Sequence, residues 1–220
     1  MNRCQLILLL ICSACQDATP PLFSPNGLRS TSYADGQPWS KGELRDGNAE
    51  GEWLTWYADG TPKSADSYRA GVLHGPSSAA FKNGSPRFVG SYQDGQPNDH
   101  WTRWYPGGQM LSEGTYANGL RVGVWKNWYL TGVLQIEGDY TGQGGDGEFS
   151  YYYESGGPES TGAIQGGVRV GVWKEWWPNG NLEKDVTFRS GQLDGPCQFL
   201  NKQGEVDSKR SGNYSQGKLL

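Results

Sequence analysis

The chain has 220 residues, enough for a full hydrophobic core, but its composition is unusual for a compact globule. It contains 34 glycine, 10 tryptophan and 12 tyrosine residues, and its mean hydropathy is −0.69. An aromatic content of 13% argues against disorder, and a formal net charge of −4 disfavours nucleic acid or an anionic membrane as the main partner. We therefore expect many short strands joined by tight turns.

The first residues, MNRCQLILLLICSAC, have the pattern of an export signal. A single basic residue precedes an apolar run, Leu6 to Cys12, that is too short to span a bilayer as a helix. The small residues before Cys15 resemble a bacterial lipobox, which implies cleavage before Cys15 and lipidation of that residue. An ordinary secretory signal cut nearby is the alternative, because Cys12 stands where lipoprotein signals usually carry leucine. The prediction is a lipoprotein signal peptide over residues 1–14, and a lipidated cysteine with a flexible tether over residues 15–26.

These signals also predict a location and a redox state. By resemblance to enterobacterial sorting signals, Gln16 after the cysteine favours the outer membrane, so we expect a lipid-anchored protein of the bacterial cell envelope, periplasmic or surface-facing. Two or more acyl chains on Cys15 would hold the protein stably on the membrane. Cys4 and Cys12 would leave with the signal, and Cys197 would then be the only other cysteine. No intramolecular disulfide is expected.

The remainder, residues 27–220, is a tandem repeat with a period of 24 residues. Eight copies start near residues 27, 51, 75, 99, 123, 147, 171 and 195, and seven of these eight positions are glycine, with Asp99 as the exception. Nine residues into each copy the residue is always glycine: Gly36, Gly60, Gly84, Gly108, Gly132, Gly156, Gly180 and Gly204. The last copy gains two residues, which brings Tyr214 to the aromatic position of its second half.

Tryptophan follows the same register. Counting the first residue of a copy as zero, tryptophan occupies position two in Trp53, Trp101, Trp125 and Trp173, and position five in Trp56, Trp104, Trp128 and Trp176. Cys197 occupies position two of the last copy. The favoured interpretation of Cys197 is a small buried hydrophobe, and a reactive thiol is the alternative.

Each copy is predicted to be one β-hairpin with a turn at both ends, so the chain would form a meander of about sixteen strands. Tripeptides such as ADG, PGG and PNG end the first strand and supply the positive-φ residue of a tight turn. Proline should be the first residue of four return strands, at Pro38, Pro62, Pro86 and Pro158. Pleating places the tryptophan at position two and the tyrosine at position six on one face, and the tryptophan at position five on the other, if no bulge intervenes. Recurrent return-strand glycines should each lie beneath an aromatic ring: Gly42, Gly90, Gly114, Gly138 and Gly162.

The pattern Y-x-x-G-x-x-x-G-x-W-x-x-W/Y-Y-x-x-G, as in SYQDGQPNDHWTRWYPGGQMLSEGTYANG, resembles the MORN repeat. More closely it resembles the bacterial variant found in tandem in secreted proteins and lipoproteins, some of which are regarded as antitoxin components. The resemblance covers residues 27–220 as eight MORN-like repeats. It implies an all-β fold, in which 24-residue β-hairpin repeats form an elongated, twisted antiparallel sheet with an aromatic groove. It also implies a scaffold or interaction module without enzyme activity. An antitoxin role fits poorly, because an exported chain is in the wrong compartment to neutralise a cytoplasmic toxin.

No constellation of catalytic or metal-ligating residues is recognisable. His74 and His100 fall at different repeat positions, and no His/Cys/Asp cluster has metal-ligand spacing. The stretch GQGGDGE, residues 142–148, is predicted to be a flexible turn rather than a metal site, because it lacks the alternating acids of a calcium loop. The prediction is therefore a protein that is not an enzyme and has no cofactor and no bound metal.

Two functions from different classes remain open. The first is an envelope scaffold that binds an unknown protein partner through an aromatic-lined sheet or groove. The second is a module that binds glycan or peptidoglycan by stacking sugar rings on exposed aromatic rings. The candidate binding residues are the eight paired tryptophans named above and the basic residues that flank two of the pairs, Arg121, Lys126, Arg169 and Lys174. For these basic residues, a solvated edge is the favoured interpretation and contact with an anionic ligand is the alternative.

Overall fold

The computed structural model describes residues 24–220 and contains seventeen β-strands and no helix within that range. The predicted signal peptide, Cys15 and most of the tether lie outside the described residues. The strands are β1 (Gly27–Ser32), β2 (Pro38–Arg45), β3 (Asn48–Trp56), β4 (Pro62–Arg69), β5 (Val72–Ala80), β6 (Pro86–Gln93), β7 (Gln96–Trp104), β8 (Met110–Ala117), β9 (Leu120–Trp128), β10 (Leu134–Thr141), β11 (Gly147–Tyr152), β12 (Pro158–Gln165), β13 (Val168–Trp176), β14 (Leu182–Arg189), β15 (Gln192–Phe199), β16 (Gly212–Ser215) and β17 (Lys218–Leu219).

Each strand pairs antiparallel with the next one along the chain, and together they form a single sheet. The predicted all-β fold of consecutive hairpins is thereby confirmed, and four return strands do begin at the predicted prolines. No helix within residues 24–220 is long and apolar enough to cross a membrane.

Two kinds of turn alternate along the sheet. The first kind joins the two strands of one copy. The glycine nine residues into each copy has a left-handed φ between 82° and 91°, and its N–H donates to the carbonyl three residues earlier, as Gly60 does to Tyr57. This is a three-residue hairpin loop with glycine at its left-handed position. The second kind joins the return strand of one copy to the first strand of the next. Most of these turns have two residues with positive φ, such as Asp46 and Gly47 at 50° and 79°, which is the type I′ hairpin turn. The predicted turn chemistry is confirmed.

The segment 142–146 departs from this regularity. The second turn position, glycine in the regular turns, is Gln143 here, so the type I′ turn is replaced by a longer loop between β10 and β11. The Asp146 side chain has a structural role, because its carboxylate Oδ1 accepts a hydrogen bond from the backbone N–H of Gly166 at 2.8 Å. The turn predicted for GQGGDGE is the structure observed.

The strands contain register shifts close to the three-residue loops. In the hairpins the pairing shifts between positions four and five, as between Thr55 and Trp56. The tyrosine at position six directly follows the first strand of its copy, next to the turn, and the predicted face of its ring stays a prediction. Its hydroxyl donates to a backbone carbonyl 23 residues further along, at 2.6–3.0 Å, in Tyr33, Tyr57, Tyr105, Tyr129 and Tyr153. These bonds tie five of the copies to the copies that follow them.

The packed core is a row of rings across the sheet, each lying over a glycine. A Cβ built on Gly114 would lie 2.2 Å from Cδ2 of Trp125, and one on Gly90 would lie 2.2 Å from the same atom of Trp101. Gly42, Gly138 and Gly162 are covered in the same way by Trp53, Phe149 and Trp173. The prediction of a ring over each return-strand glycine is confirmed. Trp101, Trp125 and Trp173 are only 3%, 1% and 0% exposed, and they are the largest side chains of the buried core.

Where the ring is missing, the glycine is missing too. Asp66 takes the glycine position opposite Ser77, and the Ser77 hydroxyl donates to its carboxylate. Val186 takes it opposite Cys197, and both are buried with Trp173 and Phe199. A larger residue on the return strand fills the volume that the small partner leaves, which close packing requires. Cys197, 3% exposed, is thus a buried hydrophobe.

Candidate functional site

One face of the sheet carries most of the aromatic residues. We define the aromatic face by its buried rings and by the half-buried tyrosines beside them, Tyr68, Tyr92, Tyr116 and Tyr140. The rings meet edge to face along the row: Tyr116 lies 6.0 Å from Trp101 and 4.7 Å from Trp125 between ring centroids. Burial raises the pKa of Tyr68, Tyr92 and Tyr151. Within residues 24–220 there is no second layer of secondary structure over either face.

The two predicted sets of tryptophans do not form one site. Trp53, Trp101, Trp125 and Trp173 lie on the aromatic face, and their indole N–H groups donate to backbone carbonyls of the preceding return strand at 2.9–3.1 Å. Pleating places Trp56, Trp104, Trp128 and Trp176 on the opposite face, where all four are half-buried. Trp101, Trp125 and Trp173 are therefore buried structural residues, whereas Trp53 and the four position-five rings keep some exposed surface.

The predicted basic pairs are likewise divided between the two faces. The Lys126 and Lys174 ammonium groups lie on the opposite face, 3.5 Å from Glu137 and 3.7 Å from Asp185. The Arg121 and Arg169 guanidinium groups lie on the aromatic face, 4.4 Å and 4.1 Å from the ring centroids of Trp125 and Trp173. Each arginine caps the tryptophan ring of its own strand in a cation–π contact.

Two arginines meet near the middle of the aromatic face. Arg103 Nη2 lies 3.5 Å from the Tyr116 hydroxyl, and Arg121 Nη1 donates to the Tyr140 hydroxyl at 3.2 Å. We call these four residues the arginine cluster. None of the ion pairs found within residues 24–220 includes Arg103 or Arg121.

The pKa of Tyr116 responds to the positive charge of the two arginines. Burial alone would raise the pKa of the Tyr116 hydroxyl, but the hydrogen bonds and charge of Arg103 and Arg121 outweigh burial and hold this pKa below its usual value. The site therefore stabilises negative charge placed between the two guanidinium groups.

The equivalent place two repeats further on is neutralised. Arg169 Nη1 lies 2.6 Å from Oε1 of Glu175, and the Lys184 ammonium group binds the other oxygen of the same carboxylate. Burial alone would raise the pKa of Glu175, but the hydrogen bonds from Lys184 and Arg169 outweigh it and lower this pKa. Here the carboxylate is supplied by the chain itself.

Sequence reasoning missed Arg103, Tyr116, Tyr140 and Glu175 as members of these clusters. The signal was available in the repeat register: Arg103 and Glu175 both occupy position four, which alternates onto the same face as the position-two tryptophans. The described residues contain no group of three or more His, Cys, Asp or Glu side chains that could hold a metal ion. What this face offers chemically is shape, aromatic surface and a local positive charge.

The architecture defines a class of protein: a tandem array of β-hairpins in which each repeat packs on its neighbours. Four segments match the family model described as "MORN repeat variant", at residues 49–70, 100–118, 121–141 and 169–190. These are the four copies that keep both tryptophans. The chain therefore contains MORN-type repeats. No curated protein matches it.

Proposed function

We propose that this protein is a non-catalytic scaffold that binds a protein partner of the bacterial cell envelope through its aromatic face. The observation that carries the proposal is the set of half-buried tyrosines and arginines on an uncovered sheet face, over rings fixed by backbone hydrogen bonds. Such rigid aromatic and arginine side chains are the residue types enriched at protein interfaces, where little side-chain entropy is lost on binding.

Site-specific photo-crosslinking in cells tests this proposal. Benzoylphenylalanine replaces Tyr92 on the aromatic face, and as a matched control it replaces Val124, which is 50% exposed on the opposite face. We expect defined protein adducts from position 92 and far fewer from position 124. Equal adducts from both positions, or adducts from position 124 alone, would contradict a partner on the aromatic face.

A glycan-binding function is the second candidate, and a recess beside Trp56 favours it. This recess of about 490 Å³ is lined by Leu54, Trp56, Ala65, Ala80 and Val89, among others. The gap exists because Ala80 stands where Trp56 stands in the preceding repeat, and a half-buried indole beside a gap can stack on a sugar ring. Purified peptidoglycan should then retain the wild-type chain and release a Trp56→Ser variant. Retention of both, or of neither, counts against this candidate.

We also propose that the protein is anchored through Cys15 and faces the periplasm or the surface from the outer membrane. The support is the sequence of residues 1–16, with its short apolar run and small residues before the cysteine. Replacing Cys15 by serine should move the protein from the membrane fraction to the soluble fraction. Continued membrane retention of the variant would refute lipidation at this residue.

A further inference from the structure

The arginine cluster brings two positive charges to one hydroxyl without a counter-charge. Arg103 and Arg121 both act on Tyr116, from the two strands that flank it, β7 and β9. Like charges held this close repel each other, and partial burial weakens the screening by water. Cation–π contacts hold each guanidinium singly, Arg103 over Trp101 and Arg121 over Trp125, but these contacts do not neutralise its charge.

Strand β13 of the same chain shows an arginine that does have a carboxylate partner. Residues 121–128 read RVGVWKNW and residues 169–176 read RVGVWKEW, so the two stretches differ only at Asn127 and Glu175. Glu175 binds Arg169 six residues earlier, whereas the neutral amide of Asn127 stands at the same spacing from Arg121. Strand β9, which lacks the carboxylate, is the strand whose arginine, Arg121, acts on the same tyrosine hydroxyl as a second arginine, Arg103.

The chemistry of the cluster indicates the group it would accept. A guanidinium presents a planar fork of N–H donors that matches a carboxylate, and the tyrosine hydroxyls beside it can donate as well. A sugar ring would need a bare aromatic face, but the Trp125 ring is 1% exposed and lies beneath Arg121. These observations favour the carboxylate side chains of a peptide over an anionic polysaccharide.

We propose that the arginine cluster binds carboxylate groups of an acidic segment in the protein partner, with Asn127 keeping the site open. The inference rests on the proposed function, of which it specifies the partner's chemistry. Arg103 and Arg121 bind the carboxylates, Tyr116 and Tyr140 orient the two guanidinium groups, and Trp125 supports Arg121 from below. Glu175 closes the corresponding site two repeats away.

Binding of hexaglutamate to the purified full-length chain in detergent tests the proposal, with tryptophan fluorescence and calorimetry as readouts. We expect binding that weakens with salt and that falls at least about tenfold in Asn127→Glu, because the new carboxylate pairs with Arg121. Asn127→Gln is the matched control and should bind within about twofold of the wild type. Glu175→Gln should add a second binding site by freeing Arg169 and Lys184.

Near-ultraviolet circular dichroism checks that each variant keeps its packed rings, and Arg103→Gln provides a second loss-of-charge variant if Asn127→Glu does not fold. Three results would overturn the proposal: no hexaglutamate binding to the wild type, unchanged binding in both loss variants, or tighter binding of hexagalacturonate or phosphatidylglycerol vesicles. In any of these cases, protein adducts from position 92 but not from position 124 would still support the proposed function. Failure of this inference is therefore distinguishable from failure of the proposed function.

Discussion

Strands β9 and β13 are near copies of each other that present different surfaces. Both place an arginine over a buried tryptophan, Arg121 over Trp125 and Arg169 over Trp173, and both set that ring on a glycine of the preceding strand. They differ at Asn127 and Glu175, and this one position decides whether the arginine is neutralised within the chain. The comparison teaches that ring, glycine and turn positions are fixed by packing, whereas position four is free to set the charge of the face.

The largest expected effect is on the shared framework. Replacing Gly114 or Gly162 by alanine should lower the free energy of unfolding by about 3 kcal/mol in each case, because the added Cβ would lie 2.2–2.4 Å from the tryptophan ring. Chemical denaturation of the two variants measures this loss. If only one of the two were affected, the two repeats would not share a framework.

A matched control separates this clash from the general cost of replacing a glycine. Gly157 has no atom within 4 Å of a built Cβ and no positive φ, so Gly157→Ala should change the free energy of unfolding by less than about 1 kcal/mol.

The pair of Val186 with Cys197 suggests a double variant that restores packing at Gly114 and Trp125. Trp125→Cys alone should leave a cavity and cost about 3–5 kcal/mol, and adding Gly114→Val should recover part of that loss.

The sequence predicted the framework well because the framework is periodic. Glycine nine residues into every copy and proline at four strand starts each have one local structural explanation, and the structure has both. The register shift beside each three-residue loop could not be predicted, because nothing in the residues of one copy reveals it. The arginine cluster was missed because its members come from four strands and two repeats, so that only the pairing of β7, β8, β9 and β10 brings them together.

The charge difference between the two repeats should appear in the pH dependence of stability. The lowered pKa of Glu175 contributes stability that is fully present above the unfolded-state pKa near 4.5 and is lost as pH falls through the folded-state pKa. Because the ion pairs are partly exposed, we expect Glu175→Gln to cost about 1 kcal/mol at neutral pH and much less in acid. Denaturation midpoints of wild type and variant, compared from neutral to acidic pH, measure this difference.

Asn127→Glu is the converse change for the same measurement. The introduced carboxylate should pair with Arg121, make that repeat resemble the one around Arg169, and add stability that disappears in acid. A variant whose stability is insensitive to pH in this range would show that position four does not control the arginine in the way the comparison of β9 with β13 requires.

The smallest expected effect is a change in the order of tyrosine ionisation. The cluster of Arg103 and Arg121 lowers the pKa of Tyr116, whereas burial raises that of Tyr151, which lies near Arg169, the arginine bound by Glu175. Tyr116 should therefore ionise first in an alkaline titration followed by phenolate absorbance, and Tyr116→Phe should remove the earliest step, while Tyr151→Phe should remove a late one.

The signs for stability are opposite at these two tyrosines. The folded chain releases the Tyr116 proton before the unfolded chain does, so this residue adds stability as pH rises from its folded-state pKa towards 10.0. Tyr151 keeps its proton longer in the folded chain, so its contribution is present below 10.0 and is lost as pH rises through its folded-state pKa. Alkaline unfolding should accordingly begin at lower pH in Tyr116→Phe and at higher pH in Tyr151→Phe. The same shift in both variants would show that the two arginines create equivalent fields, which would remove the electrostatic distinction between the open and the neutralised repeat.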